Sequence, residues 1–395
     1  AEAGPTGQPA GLRPSVITSS SDRSLAPLID EIRTIDQVET IDLYVLRERD
    51  ILDMTGSDNP DFALVHPEDP QKSLAEEDSG KFSSADLMAV DKNVPPIKKW
   101  IEHQLKDHCE VKIAAFATYF PQIANNAEEA ADDPLNTHEI AINALANTVC
   151  LGLELQGKFV NGVIVEMVCG SRLDQPDRND SLRVVVAEDE AKIRFLLESL
   201  EEVMRRVRQR RGSTADKWVL ALELEPGAGD TYVLRDSQTL KTLVRVFGDY
   251  PSLKPHVGLN IDIGHMRMAS VKSGEIFHSQ TNASLRDMVA HAHITDHPGM
   301  HTRDQPIGRW MAVDRLDAEE YEFLADLAEV WAERDDADMP YSGCVALELE
   351  GCGRIEWIHS SLNALRQMCE TVRNFGKRIR KRSVERVEWS RRPFA

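Results

Sequence analysis

Four short apolar runs in the second half of the chain each end in a carboxylate or an imidazole. They are Leu220-Ala-Leu-Glu-Leu-Glu225, Leu259-Asn-Ile-Asp262, Val289-Ala-His-Ala-His293 and Val345-Ala-Leu-Glu348. Each has the length and composition of a strand, and each is followed by turn residues and a helical pattern. Strands of a parallel barrel present their C-terminal ends to one mouth, where such barrels keep their chemistry. Three carboxylates and one imidazole meeting there make an oxygen-rich site for one hard divalent ion. Mn²⁺ or Mg²⁺ suits it best, with Zn²⁺ or Co²⁺ as alternatives.

Alternation along a strand turns Glu223 and Glu225 the same way, and likewise Glu348 and Glu350. Two adjacent same-face carboxylates repel unless a cation or a proton sits between them. One of each pair therefore belongs at the rim. Glu225, whose strand is ended at once by Pro226-Gly-Ala-Gly229, and Glu348, five residues after Gly343, are the favoured ligands; Glu223 and Glu350 are their substitutes. Asp262 opens Asp-Ile-Gly-His265, a spacing that lets the Asp bind metal while His265 leans over a substrate. His291 and His293 share a strand face, and four of the twelve histidines fall between residues 291 and 301. Other candidates are Glu166 and Arg172 beside the fourth strand end, with Arg172 suited to a carboxylate or phosphate. His66 and Glu68 could close over the mouth, and Trp310 offers an apolar wall for a sugar ring.

These runs belong to a longer alternation. Strands are expected at 15–19, 38–46, 111–118 and 163–169 before the four opening runs. Helices are expected at 25–35, 94–107, 138–156, 189–208, 237–247, 283–288, 317–334 and 354–372. Along 189–208 the apolar residues Ile193, Leu196, Leu197, Leu200, Val203 and Met204 recur at helical steps. Eight β/α units imply a single (β/α)8 barrel, a TIM barrel, with an enlarged loop at 48–93 after the second strand. Residues 1–14 read as a flexible N-terminus, 15–374 as the barrel, and 375–395 as a basic C-terminal tail.

Of the 395 residues, 46 are Lys or Arg and 66 are Asp or Glu, a formal charge of −20. That field repels phosphates, so nucleic acid and anionic membrane surfaces are not expected partners. A small polyhydroxylated or keto substrate and a homo-oligomer are. The six cysteines form no Cys-x-x-Cys pair and no run is long enough to span a membrane, so buried free thiols and a cytoplasmic location are expected.

The order Glu225-Pro226, Asp262-x-Gly-His265, His291-x-His293-x-x-Asp296 and a late Glu348 resembles the xylose isomerase-like TIM-barrel superfamily. That group includes tagatose and psicose 3-epimerases, hydroxypyruvate isomerase, inosose and dehydroshikimate dehydratases and endonuclease IV-type nucleases. The resemblance covers about residues 15–374. Carried over, the epimerase pattern implies metal ligation by Glu225, Asp262, His293 and Glu348. It also implies substrate contact by His265 and an orienting arginine, for which Arg303 is the nearest match, at a departing spacing. The implied activity is isomerisation or epimerisation through an enediolate, with Glu225 and Glu348 removing and returning the proton. The same ligands would serve a lyase or dehydratase, including one that cleaves C-glycosides. An AP-endonuclease-like hydrolase would need early-strand histidines, for which His66 is the one candidate and the third strand offers none, and a non-catalytic sugar-binding barrel would have lost the ligands that this chain keeps.

Overall fold

The computed structural model describes residues 11–124, 138–170, 189–212, 217–226, 232–278, 283–296, 307, 309, 319–334, 339–349 and 354–390. Its strands are β1 (Arg13–Val16), β2 (Thr40–Tyr44), β3 (Val65–His66), β4 (Asp69–Ser73), β5 (Lys112–Thr118), β6 (Val163–Met167), β7 (Trp218–Glu223), β8 (Val257–Asp262), β9 (Val289–Ile294) and β10 (Cys344–Leu347). All but β3 and β4 form one parallel sheet in the order β1-β10-β9-β8-β7-β6-β5-β2. A parallel bridge from Ile17 to Asp42 brings the two edges together, and Thr40 Oγ1 donates to Pro14 O across the same seam. The sheet is thereby an eight-stranded barrel.

The helices between strands are α1 (Leu25–Glu31), α2 (Glu48–Thr55), α3 (Ser84–Met88), α4 (Val94–Gln104), α5 (His138–Glu154), α6 (Asp189–Arg211), α7 (Ser237–Phe247), α8 (Ile263–Met268), α9 (Ser273–Phe277), α10 (Ala283–Met288), α11 (Glu319–Glu333) and α12 (Ile355–Ser390). Their apolar stripes explain their seating. On α6, Ile193, Leu196, Leu197, Leu200, Val203 and Met204 are all buried, as helical periodicity requires. On α7 the stripe is Leu240, Leu243, Val246 and Phe247, and Asp236 caps the helix by accepting from Thr239 N at 2.8 Å. Strands covered on both faces read as continuous apolar runs; all five residues of β6 are buried. A small cluster of Ala115, Ile164, Val219, Ala221 and Ala290 is separate from the main core. By strand alternation Ile164 shares the face of Glu166, and Val219 and Ala221 that of Glu223, so apolar residues underlie the polar mouth.

The 48–93 segment is more ordered than a polar loop: it holds α2, α3 and the antiparallel β3–β4 pair. Asn93 knits it together, accepting from Val65 N at 2.7 Å and donating to Leu87 O at 3.0 Å. The closing helix does not stop at 372; α12 continues to Ser390, so the basic stretch begins within it. Lys and Arg are good helix formers, and the run from Gly376 to Ser390 contains no proline. Among the described residues no helix is long and apolar enough to cross a membrane.

Of the cysteines described, Cys109 is exposed, whereas Cys150, Cys169, Cys344 and Cys369 are buried. Burial pushes the Cys150 thiol up to about 11 and that of Cys369 to about 12. Thiolates are the reactive species. Peptide mapping after brief treatment with a thiol reagent at neutral pH should find Cys109 labelled and those four unlabelled.

Candidate metal centre

The C-terminal ends of the barrel strands carry an unusual load of buried polar groups. Glu166 lies one residue from the end of β6, Glu223 ends β7, and Asn260 and Asp262 lie on β8. His291 and His293 lie on β9, and Glu348 follows β10. Parallel pairing sets Glu223 beside Asn260, Asn260 beside His291, and Asp262 beside His293. Asp42, in the middle of β2, completes the ring from the opposite side.

Ligand atoms of Glu223, His293 and Glu348 all lie within 4.8 Å of one another. His293 Nδ1 is 3.0 Å from Glu348 Oε2, 3.2 Å from Asn260 Nδ2 and 4.0 Å from Glu223 Oε1. Its Nε2 is 3.3 Å from Asp42 Oδ2. Asp262 uses Oδ1 to cap α8, accepting from His265 N at 2.6 Å. That cap turns the next residues into a helix and sets the His265 ring 3.2 Å from Glu223 Oε1. Among the described residues, Asp262 Oδ2 is a buried carboxylate oxygen with no hydrogen-bond donor. Unsatisfied buried carboxylate oxygens are costly, and a divalent cation is the natural partner for this donor set. The residues therefore fit such an ion.

The electrostatics point the same way. Burial, then the Glu223 charge, push Glu166 well above the usual carboxylate range. Glu223 is hydrogen-bonded to Glu166 and moves down instead: burial opposes its charge, but His265 and His293 outweigh it. Burial also works against charge on His293 and His265. Glu348 and Asp42 nevertheless hold His293 high, and Asp262, Glu223 and Glu225 do so for His265.

The geometry sorts the expected residues. Asp262, His265, His293 and Glu348 come together at the mouth. Glu225, favoured over Glu223, is not in the close group; Glu223 is. Glu225 is only half-buried and its N–H donates to Leu234 O at 2.9 Å, although its charge still acts on His265 and Tyr232. The strand ends at Glu223 rather than at the proline, so the earlier glutamate occupies the tip. His291, expected to touch substrate, is completely buried between Asp42 and Ser342 and therefore supports the site from below. His66 stacks edge-on against Phe82 and accepts from Glu68 N, contacts internal to the insertion. Arg172, Arg303, Trp310 and Glu350 lie outside the described residues. Asp42 and Asn260 were missed. A lone carboxylate inside Thr-Ile-Asp-Leu-Tyr was the available signal for Asp42, since charge within a buried strand needs a partner.

Eight parallel β/α units with an acidic and imidazole cluster at the strand ends define a (β/α)8 barrel. No known family profile matches the chain, and no curated protein matches it in sequence. Among solved structures, a provisionally named xylose isomerase from Rhodospirillum rubrum is similar with a TM-score of 0.52 at 12% identity, covering 91% of this chain and 98% of its own. A xylose isomerase domain protein from Alicyclobacillus acidocaldarius gives 0.49 at 14% identity, over 93% and 99%. A 3-keto-D-glucoside 4-epimerase from E. coli gives 0.48 at 13%, over 90% and 98%. At such identities the likeness is one of fold.

Proposed function

We propose that this protein is a divalent-metal-dependent isomerase or epimerase of a small polyhydroxylated or keto substrate. The observation that carries this reading is the buried convergence of Glu223, His293 and Glu348, beside a donor-free oxygen of Asp262. Those four residues would hold the ion, Mn²⁺ or Mg²⁺ best matching three carboxylates and one imidazole. The ion, when bound, would draw charge from adjacent substrate oxygens and so acidify the neighbouring carbon-bound hydrogen. Glu348, with the most accessible carboxylate of the group, is placed to take and return that proton. Glu223, on a strand three positions around the barrel, is placed to act from another side. Return to the other face of the same carbon gives epimerisation, and return to the neighbouring carbon gives isomerisation. Glu166 stands beside Glu223, its carboxyl pushed above the usual range by burial and by the Glu223 charge, and His265 is positioned to donate to a substrate oxygen.

Mn²⁺ at about one hundred times its Kd should stabilise the protein by about 2.7 kcal/mol, and a chelator should reverse the gain; a denaturation series with and without metal measures this. The reaction itself is tested by incubating Mn²⁺-loaded protein with ketoses and keto-acids in D₂O. Deuterium should enter at carbon without release of water or another leaving group. Release of a leaving group would make the protein a lyase instead, and no exchange with any substrate would sink the proposal.

A further inference from the structure

We propose that a cleft at the foot of the barrel, at the end away from the mouth, binds a small zwitterion of the amino-acid type. Its carboxylate pairs with Arg13 and its ammonium with Glu39. None of the residues involved belongs to the mouth, so the proposal stands apart from the metal reading above.

The cleft has a volume of about 210 Å³ and opens where β1, β2 and β5 begin. Arg13 starts β1 and Glu39 directly precedes β2; both line the cleft, with Gln37, Glu110 and Lys112. Parallel barrels keep their chemistry at the opposite end, so a site here is one for binding rather than turnover. Several of its polar groups are already engaged. Lys112 Nζ donates to Gly157 O at 3.0 Å, Glu110 is paired with Arg33, and Thr40 Oγ1 donates to Pro14 O at 2.6 Å. Arg13 and Glu39 differ. They line one cleft from neighbouring strand entries, yet their side chains pair neither with each other nor with any other group among the described residues.

The backbone supplies a second observation. After α1 the chain makes a π-helical turn over Ile32–Asp36, and Gln37 closes it at φ 56° and ψ 36°. Such turns are rare and frequent at functional sites. The left-handed region is uncommon for residues other than glycine, asparagine and aspartate, and strain of this kind clusters at ligand clamps. Glycine would fit the turn without steric cost. What glutamine adds is its side chain at the cleft. Its Oε1 accepts from Arg366 Nη1 at 3.2 Å, and its amide Nε2 has no acceptor among the described residues. A carboxylate has room for several donors; Arg13 and Gln37 supply them, and Glu39 supplies the opposite charge. A plain anion would meet repulsion from Glu39, and a plain cation from Arg13. A molecule with both signs meets neither. The cleft is smaller than the roughly 300–1,000 Å³ of pockets for drug-sized ligands, so its ligand is small.

Calorimetric titration of the metal-free protein with glycine, β-alanine and γ-aminobutyrate tests this, since the three carry the same two charges at increasing separation. Saturable binding of at least one is expected. Butyrate and butylamine, with one charge each, should bind at least about tenfold more weakly, the weight of one charged hydrogen bond. Arg13→Gln and Glu39→Gln should each weaken the zwitterion by a similar factor. Both side chains are exposed and unpaired among the described residues, so neither change should disturb the fold. The proposal is overturned if none of the three zwitterions binds saturably, if butyrate or butylamine binds as tightly, or if either variant keeps wild-type affinity.

Discussion

Glu348→Gln is expected to lower the rate of carbon–hydrogen exchange by about 10²–10⁴-fold at saturating metal, the usual contribution of a positioned acid or base. Glu223→Gln should lose as much, whereas Glu225→Gln, outside the close group, should lose far less. The three rates, read as deuterium incorporation, decide which glutamate of the β7 end serves the site. In metal-free protein His265 and His293 outweigh burial and hold the Glu223 carboxyl below its usual range, so Glu223→Gln removes a charge that the fold favours and should lower the unfolding midpoint without metal. Its gain on adding Mn²⁺ should also shrink. Equal loss in Glu225→Gln would show that the rim glutamate shares the work.

The largest stability effect lies away from the mouth, at Arg47→Met. Arg47 and Asp50 are both buried and form a bidentate pair, with contacts of 2.6 and 2.9 Å. Arg47 Nη1 also donates to Thr18 O at 2.9 Å and Ser21 O at 3.0 Å. It thus ties the start of α2 to the turn after β1. Removing one member of a buried ion pair costs about 3–5 kcal/mol, because the other charge is left without compensation. Arg47→Met should lose about that much in a urea titration at neutral pH, and Arg47→Met with Asp50→Leu should recover much of it. Burial already pushes Asp50 above its ordinary 3.8 even with Arg47 present. Without the arginine it would rise further, so the folded variant would take up a proton more readily than the unfolded chain. The deficit should accordingly be full well above that folded value and shrink as pH falls toward 3.8. A deficit independent of pH would mean that the loss is of packing and backbone contacts rather than of charge pairing.

The barrel was legible because its signals are local. Four apolar runs ending in ligand residues became β7 to β10, and the expected helices at 237–247 and 283–288 are α7 and α10 with the same bounds. Ends were less legible. The 25–35 helix changes at Ile32 into a π-turn that Gln37 closes in the left-handed region, and nothing in Ile-Arg-Thr-Ile-Asp announces that. The polar segment Glu48–Thr55 hid a helix whose start is fixed by Arg47 and Asp50, a tertiary pairing with Thr18 and Ser21 that spacing does not reveal. Within the site, alternation showed that Glu223 and Glu225 share a face, but it could not say where the strand would end. Pairing with β8 determines that, and it puts Glu223 level with Asn260. Asp42 was hidden for the same reason: its partners are 249 and 251 positions away.

The most direct measurement is anomalous diffraction from crystals soaked in Mn²⁺. The account predicts one strong peak at the mouth, bonded to oxygens of Glu223, Asp262 and Glu348 and to Nδ1 of His293. A peak bonded instead to Glu225, or seated among Asp42, His291 and His293, would contradict it, as would no peak at the mouth at saturating metal.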